Sequence, residues 1–215
     1  MSPSAVLRAI FDTLNDKVFS HALTVSSFGL DISRSLVCRW SPDLNSMVLG
    51  LAAASSTLYE IKIAVVHEML HLLNAQNRLQ DESVNQYHNK HFAISATRAG
   101  LCCVRHRKNG WSLLSLTPPC NVVDRSAIKL PSPAANETIA AAFSEVPVTR
   151  QDWNIACRAI RRSLQQAVPA RVFQHKYICE CPPPHNSVRC GRRPNGQHAP
   201  DITCNRCGAK FTCEV

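Results

Sequence analysis

Residues 61–73 read Ile-Lys-Ile-Ala-Val-Val-His-Glu-Met-Leu-His-Leu-Leu, a run that after Lys62 is apolar but for two histidines and a glutamate spaced as His67-Glu68-x-x-His71. The run is long enough for a buried helix, and on a helix positions i and i+4 share a face. His67 and His71 therefore direct imidazole nitrogens toward one zinc ion at about 2.0–2.1 Å, and Glu68, beside the first ligand, reaches a water on the metal. Two histidines and a glutamate buried there without partners would cost several kcal/mol, so a pair of plain core histidines is the poorer reading. A catalytic zinc also needs a third protein ligand and an open position.

Outward from this stretch, the helical pattern runs from Thr57 to about Asn77. Before it, Leu7, Ile10, Phe11, Leu14 and Val18 recur at helical spacing in an N-terminal helix. Three short strand-like stretches follow, 22–27, 35–40 and 46–50, which a small antiparallel sheet would satisfy. After the histidine helix, a second helix from about Asn85 to Ala99 is stopped by Gly100, and 111–116 reads as a further strand. Residues 131–148, rich in Ala, Pro and Ser, read as a loose connector holding at most a short helix over 138–144. Beyond it Trp153, Cys157, Ile160, Leu164 and Val168 form an apolar stripe, with Arg158, Arg161 and Arg162 on the other side. The chain thus divides into a main domain over 1–130, a linker and amphipathic helix over 131–170, and a cysteine-rich module over 171–215.

The third ligand decides the class of zinc site. A metzincin continuation would place glycine and histidine where Asn74 and Asn77 stand, and a thermolysin-like glutamate is absent, since Glu137 is the first after Glu82. A third histidine remains, from Tyr87-His88-Asn89-Lys90-His91-Phe92; His88 and His91 lie one helical turn apart and both qualify. These residues resemble the SprT-like metallopeptidases, in which a histidine and an aromatic four residues on, as His88 and Phe92, open the helix after the HExxH helix. The resemblance covers about Val6 to Gly100 and is specific from His67 to Phe92. This chain has Asn89 where the family often has glycine. The resemblance implies an α+β zincin-like fold, His88 as third ligand, and hydrolysis of peptide bonds with Glu68 as proton acceptor and donor. An oxyanion donor is expected near the metal, with Tyr87, Asn74 or a backbone amide as candidates.

The tail carries Cys179 and Cys181, then Cys190, then Cys204-Asn205-Arg206-Cys207-Gly208, and finally Cys213. Cys204 and Cys207 form a CxxCG knuckle, in which glycine lets the backbone turn around the sulfurs of a structural zinc. Some SprT-like proteins end in a zinc ribbon with an aromatic before the first cysteine pair and another after the second, and Tyr177 and Phe211 resemble those. That resemblance implies a Cys₄ zinc site from Cys179, Cys181, Cys204 and Cys207, with Cys190 or Cys213 as alternatives within the first pair. Two zinc ions follow, one catalytic and one structural. A segment so poor in apolar residues has little other way to fold.

Hydrophobic residues make up 45% of the 215 and charged residues 18%, the composition of a folded chain. No apolar run is long enough for a membrane span and the start lacks an export signal, so a cytoplasmic protein is expected, with its 11 cysteines reduced or on metal. The formal charge of +9 points to acidic partners such as nucleic acid. From Ser83 to Val123 there is no acidic residue, while Lys90, Arg98, Arg105, Arg107 and Lys108 fall there. The expectation is a zinc peptidase acting on protein or peptide substrates, including proteins associated with nucleic acid. The alternative is a nonenzymatic DNA-binding or adaptor protein with two structural zincs.

Overall fold

The computed structural model describes residues 1–32, 36–83, 85–118, 127–167, 174–178, 181, 187–191, 203–204, 206–209 and 212–213. The architecture is mixed α+β, with five helices and three small sheets among the described residues. The chain forms two compact units, Met1–Gln165 and Gln166–Val215.

In the first unit, helix α1 (Pro3–Lys17) starts on Ser2, whose hydroxyl accepts from the Ala5 N–H, with Pro3 at the first helical position. Its buried face is Val6, Leu7, Ile10, Phe11 and Leu14. Strands β1 (Ser27–Asp31), β2 (Cys38–Ser41) and β3 (Ser46–Gly50) form one sheet in the order β1-β3-β2. The expected antiparallel sheet is corrected: β2 and β3 are antiparallel, but β1 runs parallel to β3, with Phe28 opposite Met47. Short linkers suggest successive hairpins, yet β1 crosses to the far side of β3, where Leu30 and Phe28 join the core under α1. The first strand also begins later than its sequence pattern, at Ser27.

Helix α2 (Leu58–Gln76) is anchored by a capping box, with Thr57 accepting from the Glu60 N–H and the Glu60 carboxylate accepting from Thr57 N–H. Its residues Ile61, Val65, Val66, Met69 and Leu70 are fully buried. Helix α3 (Lys90–Arg98) is shorter than its sequence pattern because residues 85–89 form a loop. At its end Gly100 takes φ +96°, and a side chain there would strike the Ala135 carbonyl. Strand β4 (Cys102–His106), not singled out in the sequence, is central in a second sheet between β5 (Gly110–Ser115) and β6 (Ile128–Lys129).

The connector is also corrected. Residues Pro133–Glu145 form a full helix, α4, capped by Ser132 and opened by Pro133, and α5 (Arg150–Ala167) follows a Thr149–Asp152 capping box. Ile139, Ala142 and Phe143 of α4 and Trp153, Ala156 and Ile160 of α5 belong to the same core as α1 and α2. The Trp153 indole donates to Ser56 O at 2.9 Å and Arg161 donates to Ala54 O at 2.8 Å, fixing α5 to the turn that precedes α2. A domain ending at 130 would therefore leave an apolar face of the core uncovered, and the unit runs to Gln165.

In the second unit, β7 (Gln174–Ile178) lies between β8 (Ser187–Gly191) and β9 (Thr212–Cys213), with antiparallel pairing on both sides. No helix among the described residues is long and apolar enough to cross a membrane.

Candidate metal centre

His67 and His71 stand one turn apart in the middle of α2, held by its buried face. His88 comes from the loop before α3, which pairs it with Glu82 on one side and Gly110 on the other. The His88 N–H donates to Asn109 O and its carbonyl accepts from the Trp111 N–H, both at 3.0 Å. Gly110 has φ +68°, and any side chain there would meet the His88 carbonyl oxygen, so this close approach requires glycine.

The three Nε2 atoms converge: His67 to His71 is 3.2 Å, and His88 lies 3.1 Å from each. Tetrahedral ligands at 2.0–2.1 Å from zinc stand about 3.3 Å apart, so the spacing fits a metal. Hydrogen bonding supports the same conclusion. The Nδ1 of His71 faces the Asp81 carboxylate at 2.9 Å and the Nδ1 of His88 faces the Asn109 carbonyl at 3.1 Å. Both partners are acceptors, so both Nδ1 atoms carry the proton and the neutral rings turn their Nε2 lone pairs toward one another. Two facing lone pairs of this kind do not satisfy each other, and a cation does. Among the described residues no fourth ligand joins the group.

Phe92, fully buried, packs against all three rings with centroids 4.5–4.9 Å away. His91, the alternative third ligand, is not in the group; it sits in the first turn of α3, its N–H donating to the capping Asn89 side chain at 2.7 Å. Asn89 thus serves as N-cap, and its amide also donates to Gln80 O at 2.8 Å.

Burial holds His67 well below the usual histidine range, and neighbouring His71 and His88 add to it. Burial also lowers His88, with His71 contributing. For His71 the burial effect is outweighed by the hydrogen bond and charge of Asp81, which leave it raised. Asp81 thereby makes His71 a stronger donor to a metal. Its Oδ2 also accepts from Asn74 Nδ2 at 2.8 Å, and Asn74 Oδ1 accepts from Ser95 Oγ at 2.6 Å. Asn74, 1% exposed and committed at both ends of its amide, is thus a support for Asp81 and not an oxyanion donor. Tyr87 receives two hydrogen bonds from Arg105, at 3.1 and 3.2 Å, and does not line the cleft at the histidines. Sequence reading missed Asp81; the available signal was an acidic residue in the loop joining the two ligand segments.

Glu68 accepts the Trp40 N–H of β2 at 2.9 Å. Burial pushes its carboxyl up to about 7, with His71, the Trp40 N–H and Arg39 pulling the other way. A carboxyl near neutrality beside a ligand is suited to proton transfer. An open cleft of about 550 Å³ runs along His67, Glu68, His71 and His88, with Arg39, Trp40 and Gln86 on its walls.

In the second unit Cys181, Cys204 and Cys207 form a group. The Cys181 and Cys204 sulfurs are 3.7 Å apart, against about 3.8 Å for thiolates sharing a tetrahedral zinc at 2.3 Å. Gly208 takes φ +72° and donates to Cys204 O at 2.8 Å, while Cys204 N–H donates to Ala209 O at 2.8 Å, so the knuckle turns back on itself. Cys179 lies outside the described residues, Cys190 falls on β8 and Cys213 on β9.

No family model matches the chain, and no curated protein or solved structure resembles it at a significant level.

Proposed function

We infer that the chain is a zinc-dependent peptidase of SprT-like, zincin type, working in the cytoplasm, with a second, structural zinc in a C-terminal ribbon. The observation that carries this is the convergence of three Nε2 atoms at a cleft, beside a buried carboxyl near neutrality and without a fourth ligand among the described residues. A closed site has four protein ligands and no use for an adjacent base. The cytoplasmic assignment rests on the described cysteines of the first unit, Cys38, Cys102, Cys103 and Cys157, which are buried thiols.

His67, His71 and His88 would hold the metal, with Asp81 and the Asn109 carbonyl fixing two of the rings. Zinc bound there supplies a Lewis acid that polarises a peptide carbonyl and brings the pKa of water to about 7. Glu68, aimed by the Trp40 N–H, takes a proton from water at its carboxylate and returns it to the departing amine. The cleft gives an extended polypeptide access from solvent.

Glu68→Gln removes the proton acceptor without removing a ligand. Casein cleavage should fall by about two to four orders of magnitude with zinc content unchanged. Wild-type turnover in this variant would reject the mechanism.

Nucleic acid is proposed as a partner because Lys90, Arg98, Arg105, Arg107 and Lys108 are all exposed, in α3, β4 and the turn after it. Such binding is phosphate-directed, so its affinity should fall steeply with salt and weaken on charge reversal at Arg107 and Lys108. Binding that ignores salt would reject it.

A further inference from the structure

The cleft that runs along the histidines is not the only hollow at Glu68. A second, of about 390 Å³, also opens onto His67, Glu68 and Cys38. Its walls differ in kind. Where the first cleft sets Arg39, Glu82, Asn85, Gln86 and Asn109 among apolar residues, the second is lined mainly by Val37, Tyr59, Ile63, Ala64 and Leu114, with Ser56 and Ser112. Tyr59, Ile63 and His67 lie at i, i+4 and i+8 on one line along α2, so this apolar row leads directly to a ligand.

These residues are not ordinary core. Val37, Ile63, Ala64 and Leu114 are half-buried, and Tyr59 is 45% exposed. Three elements, α2, β5 and the approach to β2, thus turn apolar side chains toward one solvent-reachable hollow, an arrangement typical of ligand pockets. The walls are pinned. The Tyr59 hydroxyl accepts the Leu116 N–H at 3.2 Å and its ring meets Phe143 edge-on at 6.1 Å. At the rim, Glu60 keeps its carboxylate engaged by Thr57, a fixed negative charge.

We propose that this hollow is a specificity pocket that takes a branched aliphatic or aromatic side chain of the polypeptide, on the residue next to the bond cleaved. The inference rests on the peptidase reading above and adds the substrate class. Apolar walls reward an apolar side chain, while a carboxylate entering there loses its water and faces Glu60. The more polar cleft that shares Glu68 makes no such demand.

The test uses the full zinc-loaded chain and three peptidyl hydroxamates that differ only in the side chain beside the hydroxamate, leucine, aspartate or lysine. Calorimetry should give the leucine probe at least about ten-fold tighter binding than the aspartate probe. Ala64→Phe, which fills the hollow, should remove that preference with zinc content unchanged. Leu114→Asp, at a half-buried position, should weaken the leucine probe and strengthen the lysine probe even if Ala64→Phe fails to fold. Equal affinities in the wild type, or a leucine preference that survives both substitutions, overturn the pocket. Cleavage sites mapped in casein by mass spectrometry separate the two readings. Cleavage without apolar preference overturns the pocket and leaves the peptidase, whereas leucine-selective binding without cleavage supports the pocket and removes the peptidase. Absence of hydroxamate binding overturns both.

Discussion

The histidine group and the cysteine group bring ligand atoms to similar spacings by opposite means. Around the histidines, every ring is held by something other than a metal: α2 by its buried face, His71 by Asp81, His88 by the β5 backbone, and all three by Phe92. Around the cysteines, the described residues supply a knuckle and short strands, and beyond Ile160 the buried hydrophobic residues among those described are Cys181 and Cys204. The first group is positioned by a core that exists without it. The second supplies the buried side chains among the described residues of its unit. Metal binding at the cysteines should therefore be coupled to folding, and at the histidines nearly uncoupled from it.

The sharpest way to break this contrast is Cys204→Ser. Apparent binding of a structural zinc at such sites is about 10–16 kcal/mol at neutral pH, so losing one ligand should unfold residues 166–215 and lower zinc content from two ions to one. Hydrogen exchange should show 166–215 unprotected while α2 keeps its protection. One zinc in the wild type, retained in this variant, would mean that the ribbon is not a metal site.

Phe92→Ala probes the opposite side of the comparison. Truncating this fully buried ring should cost about 3–5 kcal/mol of stability in the first unit, read from denaturant midpoints. A loss confined to metal affinity would show that the histidines, and not the core, hold that region together.

Asp81→Asn keeps the shape but loses the charge that orients His71. Zinc affinity at the histidine site should fall by about 10–100-fold in a competition titration, with the fold intact by circular dichroism. An unchanged affinity would assign Asp81 to the loop alone.

The smallest effect is expected at Asn89. Asn89→Ala removes the α3 cap and should cost about 1 kcal/mol, whereas Asn89→Gly should cost only a few tenths, since glycine is also tolerated at that position. Equal losses in the two variants would point to the Gln80 bond instead of the cap.

What could be read from residues 57–77 was considerable, because everything there is local. A capping box, an apolar face and histidines four apart specify a helix with two ligands and an acid on it, whatever surrounds them. The CxxCG knuckle at Cys204–Gly208 is equally local. The connector was misread for a related reason: Ala and Pro between 131 and 148 look unstructured alone, and only the core that Ile139 and Phe143 complete makes a helix of them. The parallel placement of β1, the backing of His88 by Asn109 and Gly110, the Asp81 support and the Trp40 N–H on Glu68 were not legible in the same way. Each depends on where a loop or strand distant in sequence comes to rest: Asn109 and Gly110 against His88, or β2 against α2. The sequence by itself determined which atoms could bind a metal and move a proton, since spacing on one helix sets that. His88 as the third ring was an expectation from the resemblance, and the tertiary structure alone decided which backbone groups aim the rings, because those contacts close loops whose ends no local pattern brings together.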